Sequence, residues 1–221
     1  MITTILNQIY PLNNYSIIVA NGLFPQNKEL INIIYNADKV FCCDGAIKNL
    51  LKYTIQPDYI IGDCDSLSKE VKQYFANKII EIGDQDSNDL TKAFNFAIKK
   101  YSITSLIILG ATGLREDHAL ANLSLLVEFT KKIERTAIIS DFGITTAHHQ
   151  DVCLNTLIGQ QVSFFTLNPN TQINCAELKW PLNNFQTNLW YQATLNQAIA
   201  DKIIVKTNGE LLIFRAFEIK K

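Results

Sequence analysis

Apolar and polar positions along this chain fall into short alternating blocks. Ser16-Ile17-Ile18-Val19-Ala20 reads as a strand ending at Asn21-Gly22, and Lys28 to Tyr35 reads as a helix. Lys39-Val40-Phe41-Cys42-Cys43 is a second strand, closed by Asp44-Gly45 and followed by a helix to about Tyr53. Tyr59-Ile60-Ile61, entered through Pro57, is a third strand. Ser68 to Ala76 reads as helix and Lys78 to Ile82 as strand. The clearest helical pattern runs from Ser87 to Lys100, where Leu90, Ala93, Phe94, Ala97 and Ile98 share one face. Asp86 or Ser87 can cap it, and Lys99 and Lys100 suit its C-terminal dipole. Ser105 to Leu109 is a further strand running into Gly110-Ala111-Thr112-Gly113, and a helix follows from about Asp117 to Lys131. This alternation predicts an α/β fold: a Rossmann-like, mainly parallel sheet with helices on both faces.

Beyond about Arg135 helical periodicity fades. Gln161 to Leu167, Thr171 to Leu178 and Leu189 to Leu195 are β-rich, and Lys202-Ile203-Ile204-Val205-Lys206 and Glu210-Leu211-Leu212-Ile213-Phe214 flank Thr207-Asn208-Gly209. Asn-Gly between two apolar runs predicts a hairpin. The expected organisation is therefore an α/β domain over residues 1–134 and a small all-β sandwich or barrel over residues 135–221, packed together without a flexible linker.

Composition narrows the picture. Hydrophobic residues make up 48% and charged residues 19% of 221, which fits a folded chain with a substantial core. A net charge of −1 argues against a broad nucleic-acid surface. No apolar run approaches the length of a membrane span, and Met1-Ile2-Thr3-Thr4 lacks the basic start of a secretion signal. Cys42, Cys43, Cys64, Cys153 and Cys175 form no CxxC pair and are odd in number, so reduced, mostly buried thiols in a cytoplasmic protein are expected.

The chemistry concentrates at strand ends. Gly62-Asp63-Cys64-Asp65-Ser66 follows an apolar run, and Asp84-Gln85-Asp86-Ser87-Asn88-Asp89 and Arg115-Glu116-Asp117-His118 add further acidic clusters. Carboxylates near a core are costly unless a cation meets them, and hard divalent cations favour such oxygens. Asn21-Gly22, Asp44-Gly45, Gly62 to Asp65 and Gly110 to Gly113 all fall at carboxyl ends of predicted strands, where open α/β sheets bind ligands. Asp44, Asp63, Asp65 and Asp89 could face one cavity, with Mg²⁺ and a polyphosphate relieving their repulsion.

Each element also has a plain structural reading. Asp65 or Ser66 can cap a helix, Asp89 can offset a helix dipole, and Asp44-Gly45 can be an ordinary turn. Gly110 to Gly113 resembles a phosphate-cradling loop but lacks the Gly-Lys-Ser/Thr of a Walker A sequence. Arg115 is a fork donor suited to phosphate; Asp117 can hold it or cap the helix that follows. His118 can be a packed helix residue, and Asn122 lies one turn beyond it. Lys92 can pair with Asp89 in solvent or contact phosphate. Trp180 is either structural or a platform for an aromatic cation. His148-His149 reads as a surface turn, since neighbours on a strand point to opposite faces.

Taken in order, these motifs resemble the thiamine pyrophosphokinase family over most of the chain. Ile18-Val19-Ala20-Asn21-Gly22 is similar to its opening strand and turn, and Cys43-Asp44-Gly45-Ala46 to its Asp-Gly-Gly element. Pro57-Asp58-Tyr59-Ile60-Ile61-Gly62-Asp63-Cys64-Asp65-Ser66 resembles its Pro-Asp…Gly-Asp-Phe-Asp-Ser signature. Asp84-Gln85-Asp86-Ser87-Asn88-Asp89-Leu90-Thr91-Lys92-Ala93 resembles the start of its acidic helix, and Gly110 to His118 its Gly-x-x-Gly-Gly-Arg-x-Asp-His loop. Leu178-Lys179-Trp180-Pro181-Leu182 is similar to its Leu-Lys-Trp motif, and Thr194-Leu195-Asn196 more loosely to Ser-x-Ser-Asn. The chain departs from the pattern at Ala46, Cys64, Asn88 and Leu114.

The resemblance implies transfer of pyrophosphate from ATP to thiamine. It implies Mg²⁺ at Asp63, Asp65 and Asp89 with help from Asp44, and phosphates held by Arg115 and Lys92. Asn21, Gly45, Gly110, Gly113, Asp117, His118 and Asn122 would complete the nucleotide site. It further implies a homodimer with active sites between subunits, Trp180 stacking on thiamine bound to the partner chain and Asn196 near it. It leaves the general base unnamed. Three other readings stand beside it. One is a phosphohydrolase with Asp63 as nucleophile and Asp65 as acid/base, although Leu67 occupies its Thr/Val position. The others are a pyrophosphokinase with a pterin-like acceptor and a non-catalytic thiamine or nucleotide sensor.

Overall fold

Six strands run parallel: β1 (Ser16–Val19), β2 (Val40–Cys43), β3 (Tyr59–Gly62), β4 (Ile79–Glu81), β5 (Ser105–Leu109) and β6 (Arg135–Ser140), in the order β4-β3-β2-β1-β5-β6. The computed structural model describes residues 1–219. β1, β2 and β5 are buried along their whole length, which is why they read as unbroken apolar runs rather than alternating ones. Ile17, Val19 and Ile60 point to one face, against α1 (Ile2–Ile9), α2 (Lys28–Tyr35) and α3 (Ile47–Lys52). Ile18, Phe41 and Ile61 point to the other, against α5 (Asp89–Lys100) and α6 (Glu116–Thr130). There Phe94 and Phe129 stack with ring centroids 3.9 Å apart. The short α4 (Lys69–Tyr74) starts at Ser68, whose side chain accepts a hydrogen bond from the Val71 amide.

The strands after β6 are antiparallel but do not begin a separate sheet. β7 (Gly143–His148), β14 (Leu211–Ile219), β9 (Gln160–Thr166) and β12 (Asn196–Gln197) extend the first sheet to ten strands. The expected boundary at 134/135 thus falls at the start of β6, inside a continuous ladder. A second sheet of β11 (Leu182–Gln186), β10 (Gln172–Cys175), β13 (Lys202–Thr207) and β8 (Val152–Asn155) faces this extension. Val162, Phe164 and Ile213 meet Ile173, Ile203 and Val205 between the two layers, giving the expected small β sandwich.

The structure corrects three local readings, one of them the surface turn expected at His148-His149: His148 is the last residue of β7 and is largely shielded from solvent. Lys202–Thr207 and Leu211–Ile219 do not form a hairpin: β13 pairs with β8 and β10, whereas β14 pairs with β7 and β9. Their burial explains it. β13 alternates buried and exposed residues, as one face of a solvated sheet does, while β14 is buried on both faces over most of its length and belongs inside the large sheet. Asn208 forms a crossover between layers, its side chain accepting from the Gln172 amide. Third, Leu189 to Leu195 contains no strand. Trp190–Ala193 is a 3₁₀ turn in which the Gln192 side chain accepts from the Leu189 amide, and Leu189, Trp190 and Tyr191 are exposed.

Among the described residues no helix is long and apolar enough to cross a membrane. All five cysteines are free, and only Cys153 is exposed.

His148, at the end of β7, is pressed down to a pKa of about 4, chiefly by burial and then by the nearby positive charge of Arg215 and His149. The unfolded chain, with an ordinary His value of 6.5, takes up a proton that the folded chain resists. The stability associated with neutral His148 is therefore complete above pH 6.5 and is lost as pH falls toward 4. Urea unfolding across that window should lose stability with acidification, and His148→Asn should flatten the slope.

Candidate active site

Strand order reverses between β1 and β5, the one place where consecutive crossovers leave in opposite directions and open a crevice at the carboxyl edge. The two loops that leave these strands are tied together there. Ala20 N donates to Leu109 O at 2.8 Å, Gly22 N to Gly110 O at 2.6 Å, and Leu23 N to Thr112 O at 2.9 Å. Gly110 turns with φ of +66°, and a Cβ there would come within 2.5 Å of the Ala20 carbonyl oxygen.

The crevice is a cavity of about 560 Å³. Of the residues named from the sequence, Asn21, Asp63, Asp89, Lys92, Gly113, Arg115, His118 and Asn122 line it together. The remaining ones do not. Asp44 lies beneath it, only 5% exposed. Its carboxylate accepts from the Gly45 amide, from the Cys64 amide at 3.1 Å and from Ser66 Oγ at 3.4 Å, so it braces the loop that carries Asp63. Burial first, then the charges of Asp89 and Asp63, push its pKa above the ordinary carboxylate value. Gly45 lies outside the lining but makes room for it: a Cβ there would strike the Asn21 side chain at 2.2 Å.

Asp65 is exposed and outside the lining, its amide donating to Asp63 Oδ1 at 3.1 Å. Gly110 contributes only the turn. Asp117 is likewise outside the cavity; it grips Arg115 with two bonds, Nε to Oδ1 at 3.0 Å and Nη2 to Oδ2 at 2.6 Å. That grip, with the His118 amide, lowers the Asp117 pKa to about 2. Among the described residues no cluster of three or more His, Cys, Asp or Glu is arranged to hold a metal ion.

Trp180 and Asn196 belong to the β sandwich and do not line the crevice. Asn196, expected as a ligand contact, is buried, and its amide clamps the Trp180 backbone: Oδ1 accepts from Trp180 N at 3.2 Å and Nδ2 donates to Trp180 O at 2.7 Å. This leaves the Trp180 side chain presented outward, 57% exposed.

Three features are clearer in the structure than in the sequence, which left Lys92 open between a solvated pair with Asp89 and a phosphate contact. Lys92 is not a solvated partner of Asp89: it is 5% exposed, with its ammonium 3.3 Å from Asp89 Oδ1, facing the cavity from inside α5. Gln85, Ser87 and Cys43 also line the cavity, and only the fold brings them there. Third, the loop departures carry strain. Cys64 has φ of +62° and Leu114 of +66°, left-handed values that cost a non-glycine residue about 1–2 kcal/mol. An apolar cavity of about 310 Å³, lined by Leu120, Leu123, Phe165, Trp190 and Phe214, adjoins the loop through Thr112.

One hydrogen-bonded chain couples the acidic helix to the glycine loop. Asn88 caps α5 by accepting from the Thr91 amide at 2.9 Å and donates to Asn122 Oδ1 at 3.1 Å, while Asn122 Nδ2 donates to the Ala111 carbonyl at 2.8 Å.

Comparisons with known proteins agree with this anatomy. The family model described as "Thiamin pyrophosphokinase, catalytic domain" matches residues 30–140, and "Thiamin pyrophosphokinase, substrate-binding domain" matches residues 143–214. The chain is 31% identical over 200 residues to thiamine pyrophosphokinase 1 of Oryza sativa subsp. japonica, covering 77% of this chain and 74% of that one. It is 24% identical over 183 residues to thiamin pyrophosphokinase 1 of Caenorhabditis elegans, covering 76% and 75%. The solved thiamin pyrophosphokinase from Candida albicans has the same fold, with a TM-score of 0.78 at 18% identity over 93% of this chain and 90% of that one. The yeast enzyme gives 0.77 at 18% identity over 95% and 89%.

Asn122→Leu would strand the Asn88 amide and the Ala111 carbonyl in a poorly solvated place. Loss of about 2–4 kcal/mol in urea unfolding is expected. Asn88→Thr, which keeps a capping oxygen, should lose less than Asn88→Ala.

Proposed function

The chain belongs to the thiamin pyrophosphokinase family and is an enzyme of that activity, and we propose that it works through the crevice between β1 and β5. The carrying observation is that Asp63, Asp89, Lys92 and Arg115 line one cavity at that switch point. ATP binds with its phosphates against the 110–113 loop and the start of α6, where amides and the helix dipole favour anions. Buried Lys92 faces them as a fixed positive charge. Arg115, with Nε and Nη2 held by Asp117, offers them its remaining N–H groups.

The donor set suits magnesium. Every candidate ligand is a carboxylate oxygen, and Asp44 already feels the charges of Asp63 and Asp89. Asp63 and Asp89 would hold the ion, Asp65 would have to turn in from the surface to join them, and Asp44 braces the loop that carries Asp63. When bound, the ion neutralises phosphate charge and fixes the polyphosphate. The thiamine hydroxyl oxygen attacks the β-phosphorus in line, the β-phosphorus–oxygen bond to the leaving AMP breaks, the hydroxyl proton passes to a phosphate oxygen or solvent, and thiamine diphosphate leaves with the new P–O bond. The residues align the groups and stabilise the developing charge. The chain works as a homodimer: Trp180 of one subunit stacks on thiamine held at the nucleotide cavity of the other, where a flat aromatic face suits a cationic ring.

Asp63→Asn and Asp89→Asn should each lower AMP release from ATP and thiamine by at least about a thousandfold while preserving the unfolding midpoint. Chelation should stop wild-type turnover and Mg²⁺ restore it. Near wild-type turnover of Asp65→Asn would remove Asp65 from the ligand set and leave the other two in place.

The dimer has its own test. In a random mixture of Asp63→Asn and Trp180→Ala, half the dimers are mixed, and each carries one intact site. Activity should recover to about a quarter of wild type. A mixture no more active than its parts would show that each subunit is self-sufficient.

A further inference from the structure

A second cavity, of about 270 Å³, lies at the opposite edge of the large sheet, where β6 begins and β7 ends. Arg215 of β14, Arg135 of β6, His148 of β7 and Tyr10, just after α1, are among its lining residues. Two of the three arginines in the chain are therefore on this one cavity. The third, Arg115, is in the catalytic crevice.

Arg215 is fully buried. Its Nη1 donates to the Ile9 carbonyl at 3.0 Å and to the Asn155 carbonyl at 2.8 Å, which fastens α1 and β8 to β14. Its Nε and Nη2 have no hydrogen-bond partner. These two atoms form one edge of the guanidinium, the edge that takes two oxygens of a single carboxylate or phosphate. The Tyr10 hydroxyl at the same cavity donates to no partner; the Ser105 side chain beside it lowers its pKa, as a donor to the oxygen does. Three buried side-chain donors that lack an acceptor thus meet here. Burial lowers the Arg215 pKa to about 10, so the group remains charged at neutral pH. Glu134 lines the cavity mouth but is exposed, and no carboxylate forms an ion pair with Arg215 or Arg135 among the described residues. Arg135 instead donates to the Pro11 carbonyl and lies over the Tyr10 ring, 4.9 Å from its centroid. A buried charge without a counter-ion is costly, and orphaned donors add to that cost.

We propose that this cavity binds the oxyanion of a compact small molecule, a carboxylate or a phosphate, on the Nε/Nη2 edge of Arg215 with the Tyr10 hydroxyl as third donor. The edge is covered in the present conformation, so the ligand enters by shifting a lining side chain. The cavity volume admits a small anion and not a nucleotide. The site stands apart from the catalytic reading and does not depend on it.

With three arginines, ¹⁵N-arginine labelling gives three Nε–H resonances, assigned through Arg115→Gln and Arg135→Gln without touching Arg215. Sodium phosphate and sodium acetate are titrated separately at constant ionic strength. The Arg215 resonance should move saturably with at least one of them. A tighter phosphate midpoint identifies a phosphate ligand, a tighter acetate midpoint a carboxylate. Tyr10→Phe should weaken the midpoint about tenfold, the worth of a hydrogen bond to a charged group. A stationary Arg215 resonance while that of Arg115 moves places the anion in the catalytic crevice alone and overturns the proposal. So does a linear, unsaturable drift, or a midpoint unchanged by Tyr10→Phe.

Discussion

Asp44 is buried at the carboxyl edge of the large sheet, where desolvation and the charges of Asp89 and Asp63 push its pKa above the ordinary carboxylate value. An arrangement of this kind is unfavourable for the isolated fold. It persists because the surrounding framework leaves the carboxylates little freedom to separate: β1, β2 and β5 are buried on both faces, and amides of the Asp63 loop bind Asp44 directly. The opposing charge inside the crevice is Lys92, itself buried and bonded to Asp89. With Lys92 inside and Arg115 at the exposed rim as its cations, the crevice keeps an acidic character that suits the divalent ion proposed above. Stability and catalysis therefore pull in opposite directions at this edge, and the sheet absorbs the difference.

The parallel half was legible because its strands are buried on both faces. Continuous apolar runs with a polar turn at each carboxyl end announce themselves, and the order of those turns along the chain already placed the site. The antiparallel half was less legible for a physical reason. Lys202 to Lys206 and Glu210 to Phe214 look alike as apolar runs around Asn-Gly, yet one is a single-faced strand and the other a doubly buried one. Which neighbour each finds depends on layers assembled from distant segments. Leu189 to Leu195 carries β-prone residues, but only Ala193 of its 3₁₀ turn is buried, so nothing selects a strand there.

The site shows the same division. Spacing identified the carboxylates and Arg115 but not how they are shared between cavity, floor and surface. Asp63 and Asp65 are one residue apart, yet Asp63 lines the crevice and Asp65 faces solvent, because the loop between them turns through left-handed Cys64. The sequence left Lys92 open between a solvated pair with Asp89 and a phosphate contact, and the packing of α5 against β2 and β3 takes the lysine inside. Asn88, one of the departures from the family pattern, is made intelligible by the structure. An amide can cap α5 with its oxygen and still reach Asn122 with its nitrogen, coupling the acidic helix to the glycine loop.

Leu114 extends that argument to the backbone. A left-handed residue is inexpensive as glycine and strained as leucine, yet the loop turns left-handed at Leu114, with Gly110 and Gly113 also at positive φ. The turn is imposed from outside, by the pairing of the 20–23 segment with the carbonyls of Gly110 and Thr112. Cys64 is held in the same way, its amide bonded to Asp44. Both loops are thus fixed by bonds to the sheet's own edge rather than by the preferences of their residues. The shape of the crevice is thereby set at the β1–β5 junction and by Asp44 rather than by the loops themselves.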